Sequence, residues 1–149
     1  MKDKFISLYF DIAERVSLLS YAQRLKVGAV IVKEGRILSY GYNGMPAGFE
    51  NDCELYIPEQ VDLDSRTITE AYTVTKPEVI HAEANALFKL TRHGDSCLGG
   101  SIFITHSPCV ECAKMILQSG IREVYYKKDY RSDDGIRLLT RGKIKVLKV

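Results

Sequence analysis

Two short stretches of this 149-residue chain carry residue types and spacings that can do chemistry: His81-Ala82-Glu83 and Pro108-Cys109-Val110-Glu111-Cys112. The second offers two thiols separated by two residues, a spacing that lets both sulfurs reach one metal ion, and the first offers an imidazole as a third ligand. Three protein ligands and one open position describe a catalytic zinc; a fourth ligand would close the site and make it structural. Glu83 lies two residues from the imidazole, close enough to move protons beside the ion without binding it. A lone Cys-x-x-Cys also reads as a structural half-site or a redox pair. What tips the balance to catalysis is a proline before the first cysteine, a strand-like run before that, and a His-x-Glu opening an earlier helix.

The elements that must hold these residues can be read in order. Lys4 to Ser20 places Phe5, Leu8, Ile12, Val16 and Leu19 at steps of three and four, the pattern of an amphipathic helix that buries one stripe. Val27–Val32 and Arg36–Gly41 flank the short polar connection Lys33-Glu34-Gly35, which suits a hairpin. The chain then enters Tyr42-Asn43-Gly44-Met45-Pro46-Ala47-Gly48, a run made for turns. From Phe49 to Val79 no period is sustained and Pro58 and Pro77 interrupt, so a long excursion with at most a helical turn is expected, bordering a functional site. Ile80 to Arg92 reads as a helix stopped at His93-Gly94-Asp95. Ser101–Thr105 is a buried-strand pattern, and Cys109 to Gln118 is a second helix closed by Ser119-Gly120. Ile121–Tyr126 reads as a strand, Asp133–Arg141 as a short helix and Ile144–Val149 as a last strand. A hairpin followed by alternating helices and strands implies an α/β fold, a mixed sheet with helices on both faces.

Placed so, Cys109 and Cys112 fall in the first turn of a helix, where free amides and the positive end of the dipole favour thiolates. His81 and Glu83 pose a geometric condition. Residues two apart on a regular helix point about 200° away from each other. The pair can share a site only if the helix begins at His81, so that the first residue aims past the helix end while the third leans back toward it.

Length and composition bound the rest. One domain is the expectation for 149 residues, with a core that needs no disulfide framework. Net charge is +2 and spread along the chain, which gives no electrostatic footprint for a nucleic acid. No run of 18 apolar residues and no signal-peptide profile occur, so no membrane partner and a cytoplasmic location are expected. Cys53 and Cys97 are read as free thiols in a reducing compartment. His93 and Glu111 are expected in solvent at helix positions. His106 adjoins the ligand turn and is read either as a pocket residue or as a structural one. Among the tyrosines, Tyr125 is the one expected to approach a bound ligand.

Together, His81-Ala-Glu83-Ala-Asn85-Ala, Ser107-Pro-Cys109-x-x-Cys112-Ala-Lys and Gly41-Tyr-Asn43-Gly44-x-Pro46-x-Gly48 resemble the deoxycytidylate (dCMP) deaminases of the cytidine deaminase superfamily, over most of the chain from Val27 to about Gly135. The resemblance implies a three-layer α/β/α sandwich with a central mixed five-stranded sheet. It implies one Zn²⁺ held by His81, Cys109 and Cys112, hydrolytic attack at C4 of cytosine, and Glu83 as the proton carrier. Among substrate contacts it implies the Ala82 backbone N–H for the pyrimidine carbonyl and Asn43 for the sugar. The phosphate needs cations or donors, and the sequence offers Arg24, Lys26 and the loop around Ser107; of these Arg24 is preferred, although Ala22-Gln23-Arg24-Leu25-Lys26 departs from the family's usual run. Some relatives hold a second, structural zinc in the excursion, but Phe49–Val79 has Cys53 and no histidine, so a single zinc is expected. The resemblance also implies a homohexamer with dCTP as activator and dTTP as inhibitor, the triphosphate bringing Mg²⁺, with Gly44 and Gly48 in the effector loop.

Two rival classes fit the sequence less well. A nucleic-acid deaminase shares the zinc core but needs a basic groove with stacking aromatics, and this chain has no tryptophan. A binding protein built on a dead scaffold would have lost its proton carrier or a ligand, and Glu83 is present. Other small cytosine-containing substrates are the nearest alternative.

Overall fold

The computed structural model describes residues 1–62 and 64–149; Leu63, inside the excursion, lies outside the described residues. Gly28–Lys33 (β1) pairs antiparallel with Arg36–Tyr42 (β2) on one side and with Ser101–His106 (β7) on the other. Beyond β7, Glu123–Lys128 (β8) and Lys145–Lys148 (β9) continue the sheet in parallel, giving the order β2-β1-β7-β8-β9. The helices are Asp3–Ser17 (α1), Ala82–His93 (α2), Val110–Gln118 (α3) and Asp134–Arg141 (α4).

Strand alternation decides which helix covers which face. In β1, Ala29 and Ile31 join Ile102 and Ile104 of β7 and Val124 of β8 in a core capped by Ala86, Leu87 and Leu90 of α2, Ala113 and Ile116 of α3 and Leu139 of α4. The intervening Val30, Val32, Phe103 and Tyr125 face the other way, against Tyr9, Phe10 and Ala13 of α1. Successive side chains on a strand point to opposite faces, so one five-stranded sheet serves two cores. The result is the expected three-layer α/β/α sandwich around a mixed five-stranded sheet.

The opening helix ends at Ser17 and buries a stripe rotated from the one its spacing suggests, keeping of that stripe Val16 and, in part, Ile12. Tyr9, Phe10, Ala13 and Val16 are buried, while Phe5, Leu8 and Leu19 are 41%, 46% and 48% exposed. The aromatic contacts decide the rotation. Phe10 meets Phe103 edge-on at 5.5 Å and Tyr9 lies 5.0 Å from the same ring, and buried aromatic rings contribute more than the aliphatic stripe could against this face.

The excursion is not an irregular loop with a helical turn. Glu54–Ile57 (β3) pairs antiparallel with Tyr72–Thr75 (β6), and Gln60–Asp62 (β4) with Thr67–Thr69 (β5). Outside the main sheet these strands bury little, and Val61 and Ile68 are 57% and 66% exposed. With little apolar surface to bury, they lack the long alternating run that announces a strand.

Candidate active site

Two helix starts converge at one end of the sheet. His81 is the N-cap of α2, with extended backbone at ψ 155°, and Glu83 is the second residue inside that helix. This meets the geometric condition: His81 lies open to solvent while Glu83 is only 4% exposed. Cys109 caps α3 in the same extended conformation (ψ 171°) and Cys112 follows in its first turn. Both helix N-termini therefore direct free N–H groups and positive dipole ends at one point.

Two glycines bring the helices this close. A Cβ on Gly41 of β2 would lie 2.2 Å from the Ala82 carbonyl oxygen and 2.5 Å from the Ala86 nitrogen, so α2 rests directly on the strand backbone. A Cβ on Gly135 of α4 would lie 2.0 Å from the Pro108 carbonyl oxygen, so α4 seats against the turn that presents Cys109. Asn85 adds a hydrogen bond from Nδ2 to the Tyr42 carbonyl at 2.9 Å. Gly44 and Ile80 exchange two backbone bonds, of 3.1 and 2.9 Å, which fix the lead-in to His81.

The ligand atoms fit a zinc ion. His81 Nδ1 is 3.5 Å from Cys109 Sγ and 3.4 Å from Cys112 Sγ, and the three ligand atoms lie within 4.8 Å of one another. Tetrahedral zinc, with Zn–S of about 2.3 Å and Zn–N of about 2.0–2.1 Å, sets nitrogen and sulfur ligands about 3.5 Å apart. One of the two thiols is held as a thiolate, the form that binds a metal. A hydrogen bond from Cys112, followed by His81, holds the Cys109 thiol down to about 3, while that shared bond and burial push Cys112 up. The bond to Cys109 raises the His81 imidazole. Burial pushes the Glu83 carboxyl up to about 7, where it can hold or give a proton near neutrality.

A cavity of about 270 Å³ opens over these groups, lined among others by His81, Ala82, Glu83 and Cys109. It also gathers Arg24, Asn43 and Ser107, three residues expected from the sequence to meet substrate. Asn43 is a latch as well as a wall: Oδ1 accepts from the Val27 N–H at 2.8 Å and Nδ2 donates to the Leu25 carbonyl at 2.8 Å. Each end of the amide retains one further bonding position. Ser107 Oγ accepts from the Tyr130 N–H at 2.7 Å and keeps its own hydrogen to donate. Ala82 is the first helical residue of α2, so its N–H has no acceptor within the helix.

His106 lines the cavity too. Its Nδ1 lies 3.1 Å from Thr105 Oγ1, which already accepts from the Gly28 N–H at 3.2 Å. The Thr105 hydroxyl is thus free to donate to Nδ1, an arrangement that leaves a hydrogen on Nε2. Burial holds the imidazole below its usual range. Gly48 is not among the cavity residues, and His93 and Glu111 are exposed as expected.

Tyr125 is not at the site. Strand alternation turns it to the α1 face, where its ring stacks on Phe103 at 4.6 Å and its hydroxyl donates to Glu123 Oε2 at 3.0 Å. The tyrosine that lines the cavity is Tyr130, with Arg131 beside it, and Glu54 and Thr75 of the excursion line it as well. The sequence reading missed these four. Asp129-Tyr130-Arg131 follows β8, the parallel neighbour of β7, and ligand sites of α/β sheets gather at the carboxyl ends of such strands. That was a usable signal for Arg131. Nothing in the local pattern of the excursion flagged Glu54 or Thr75.

An α/β/α sandwich that presents one histidine and two cysteines from two helix starts, with a buried glutamate between them, defines the zinc-dependent deaminase class. Comparison with known proteins narrows this. Residues 2–128 match the family model for the cytidine and deoxycytidylate deaminase zinc-binding region. The deoxycytidylate deaminase of Enterobacteria phage T4 is 38% identical over an alignment 151 positions long, covering 83% of this chain and 78% of that one. A crystal structure of dCMP deaminase from the cyanophage S-TIM5, in complex with dCMP and dUMP, superposes with a TM-score of 0.84 at 41% identity, covering 100% of this chain and 99% of that one. A deaminase/reductase of Thermotoga maritima shares the fold at 19% identity, with a TM-score of 0.68 over 97% of this chain and 36% of its own. The chain belongs to the cytidine and deoxycytidylate deaminase family.

Proposed function

We propose that this protein hydrolyses dCMP to dUMP and ammonia, with His81, Cys109 and Cys112 holding one Zn²⁺. The observation that carries the substrate choice is that Arg24 and Arg131 line the same cavity as the His–Cys–Cys cluster and Glu83. A nucleoside needs no such pair, whereas a phosphate monoester matches the forked N–H donors of guanidinium. The phage relatives named for dCMP support the same choice.

When bound, zinc supplies a water that ionises near neutral pH. The chain's own residues do the rest. The Ala82 N–H meets the pyrimidine carbonyl, Asn43 uses its spare donor and acceptor on the sugar, and Ser107 with the two arginines receives the phosphate end. Glu83 takes a proton from the attacking water and delivers it to N3 of cytosine, then takes the second, from the new C4 hydroxyl, and gives it to the departing amine. Overall one water is consumed, a C4–O bond forms, the C4–N bond breaks and ammonia leaves. A carboxyl poised at about 7 suits a group that must both take and return protons at ambient pH.

The same reading takes residues 1–149 as one deaminase domain, cytoplasmic and assembled as a homohexamer, activated by dCTP with Mg²⁺ and inhibited by dTTP. The loop from Gly44 to Gly48 is the effector candidate. Gly44 is bonded to Ile80, next to the ligand His81, so a molecule held on that loop would bear on the start of α2. Ultraviolet-monitored deamination of dCMP, deoxycytidine, CMP and a deoxycytidine-containing oligonucleotide, each with and without dCTP and Mg²⁺, tests both levels. Turnover centred on dCMP and a dCTP-dependent rise are expected. Faster turnover of the nucleoside or the oligonucleotide would contradict the substrate, and indifference to dCTP would remove the regulation alone.

A further inference from the structure

Arg24 is held at two points by a cross-strand pair from the excursion. Glu54 and Thr75 stand directly opposite each other in the β3/β6 register. Glu54 Oε1 accepts from two consecutive backbone N–H groups, Gln23 at 3.0 Å and Arg24 at 3.2 Å, and Thr75 Oγ1 accepts from Arg24 Nη1 at 3.4 Å. The foot of the hairpin is itself tied down, by the Lys76 N–H to the Cys53 carbonyl at 2.9 Å and by the Lys76–Asp52 ion pair at 2.9 Å. All three residues, Arg24, Glu54 and Thr75, line the cavity.

A carboxylate beside a phosphate pocket is unexpected if its task is binding, because like charges repel. Here one of its oxygens faces two converging amides, and the backbone it grips is that of the arginine. An arginine on an exposed loop otherwise samples many rotamers, and a substrate that used it would have to order it first. The hairpin does that ordering in advance.

We propose that Glu54, seconded by Thr75, is a positioning residue for phosphate recognition, and that the β3/β6 hairpin acts in catalysis as the brace that preorganises Arg24. The proposal rests on dCMP being the substrate and Arg24 meeting its phosphate. It gives the excursion a task at the site without any contact between Glu54 and the reacting atoms.

The test is the ratio of kcat/KM for dCMP to that for deoxycytidine. Glu54→Ala should lower this preference about tenfold, the equivalent of one charge-assisted hydrogen bond, through KM for dCMP. Glu54→Gln, whose amide oxygen accepts from the same two N–H groups, should restore most of it. Glu54→Ala should change nothing further in an Arg24→Ala background. Thr75→Val, which leaves the hairpin backbone intact, should lower the preference by a smaller factor and carries the test if Glu54→Ala does not fold. An unchanged preference in a folded Glu54→Ala or in Thr75→Val, an equal drop on top of Arg24→Ala, or no rescue by Gln would overturn the brace while leaving dCMP as substrate. A wild-type protein without preference for dCMP would overturn the substrate reading, and the brace with it.

Discussion

The cavity wall that carries His81, Glu83 and Cys109, with Cys112 buried in the same helix start, is made by two helix starts seated on the central sheet, whereas the wall that carries Arg24 and Arg131 is made by connections and by a hairpin outside that sheet. In the first, Gly41 and Gly135 let helices touch backbone, and Glu83 and Cys112 are buried. In the second, the bonds that hold Arg24 are exposed to solvent. The difference fits the tasks. A metal and a proton carrier must be held to within fractions of an ångström, and a packed element does this. Recognition of a charged group tolerates a looser frame, and there a few hydrogen bonds from the β3/β6 hairpin supply the order that packing supplies on the first wall.

The comparison predicts that damage to the first wall is severe. Glu83→Gln should leave zinc content and fold intact while kcat falls by about 10²–10⁴; turnover near the wild-type rate would remove Glu83 from the mechanism. Gly135→Ala should push α4 off the Pro108–Cys109 turn, lowering stability by about 1–3 kcal/mol or more and reducing zinc retained on dialysis. Thermal melts and metal analysis check both, and an unaltered protein would mean that α4 does not set the position of Cys109. Tyr125→Phe tests the reassignment of that residue to the α1 face. It should lose about 0.5–1.5 kcal/mol with the bond to Glu123, and KM for dCMP should not follow. Smallest of all, Val61→Ser and Ile68→Ser in the outer β4/β5 hairpin should each change stability by no more than about 0.5 kcal/mol. A large loss there would show that these exposed residues are covered in the working protein.

The same contrast decided what could be read from the sequence. The metal wall was legible because its residues are close together, and because buried strands and capped helices impose a period on their neighbours. The position of His81 even followed from the requirement that Glu83 share its site. The arginine wall was legible in Arg24 and Ser107, from the donors that a phosphate requires, in a run that departs from the family's usual one. Arg131 is brought in by parallel pairing of β8 on β7, and Glu54 by a hairpin whose exposed strands imprint no alternation. Tyr125 was misplaced because a one-residue step along β8 moves a side chain from one core to the other. The stripe of α1 was misplaced because spacing reports that a helix is amphipathic, while the ring of Phe103 determines which face wins.

The most direct measurement of the central claim, that one cavity joins zinc chemistry to phosphate recognition, is the dCMP-to-deoxycytidine ratio of kcat/KM in the wild type and in an Arg24→Ala/Arg131→Ala protein. A strong preference for dCMP that collapses by about 10²-fold or more when both guanidinium groups are removed is the expected result, each charge-assisted contact being worth about tenfold. A preference that survives the double substitution would contradict the account, since the phosphate would then be met by something other than the residues that line this cavity.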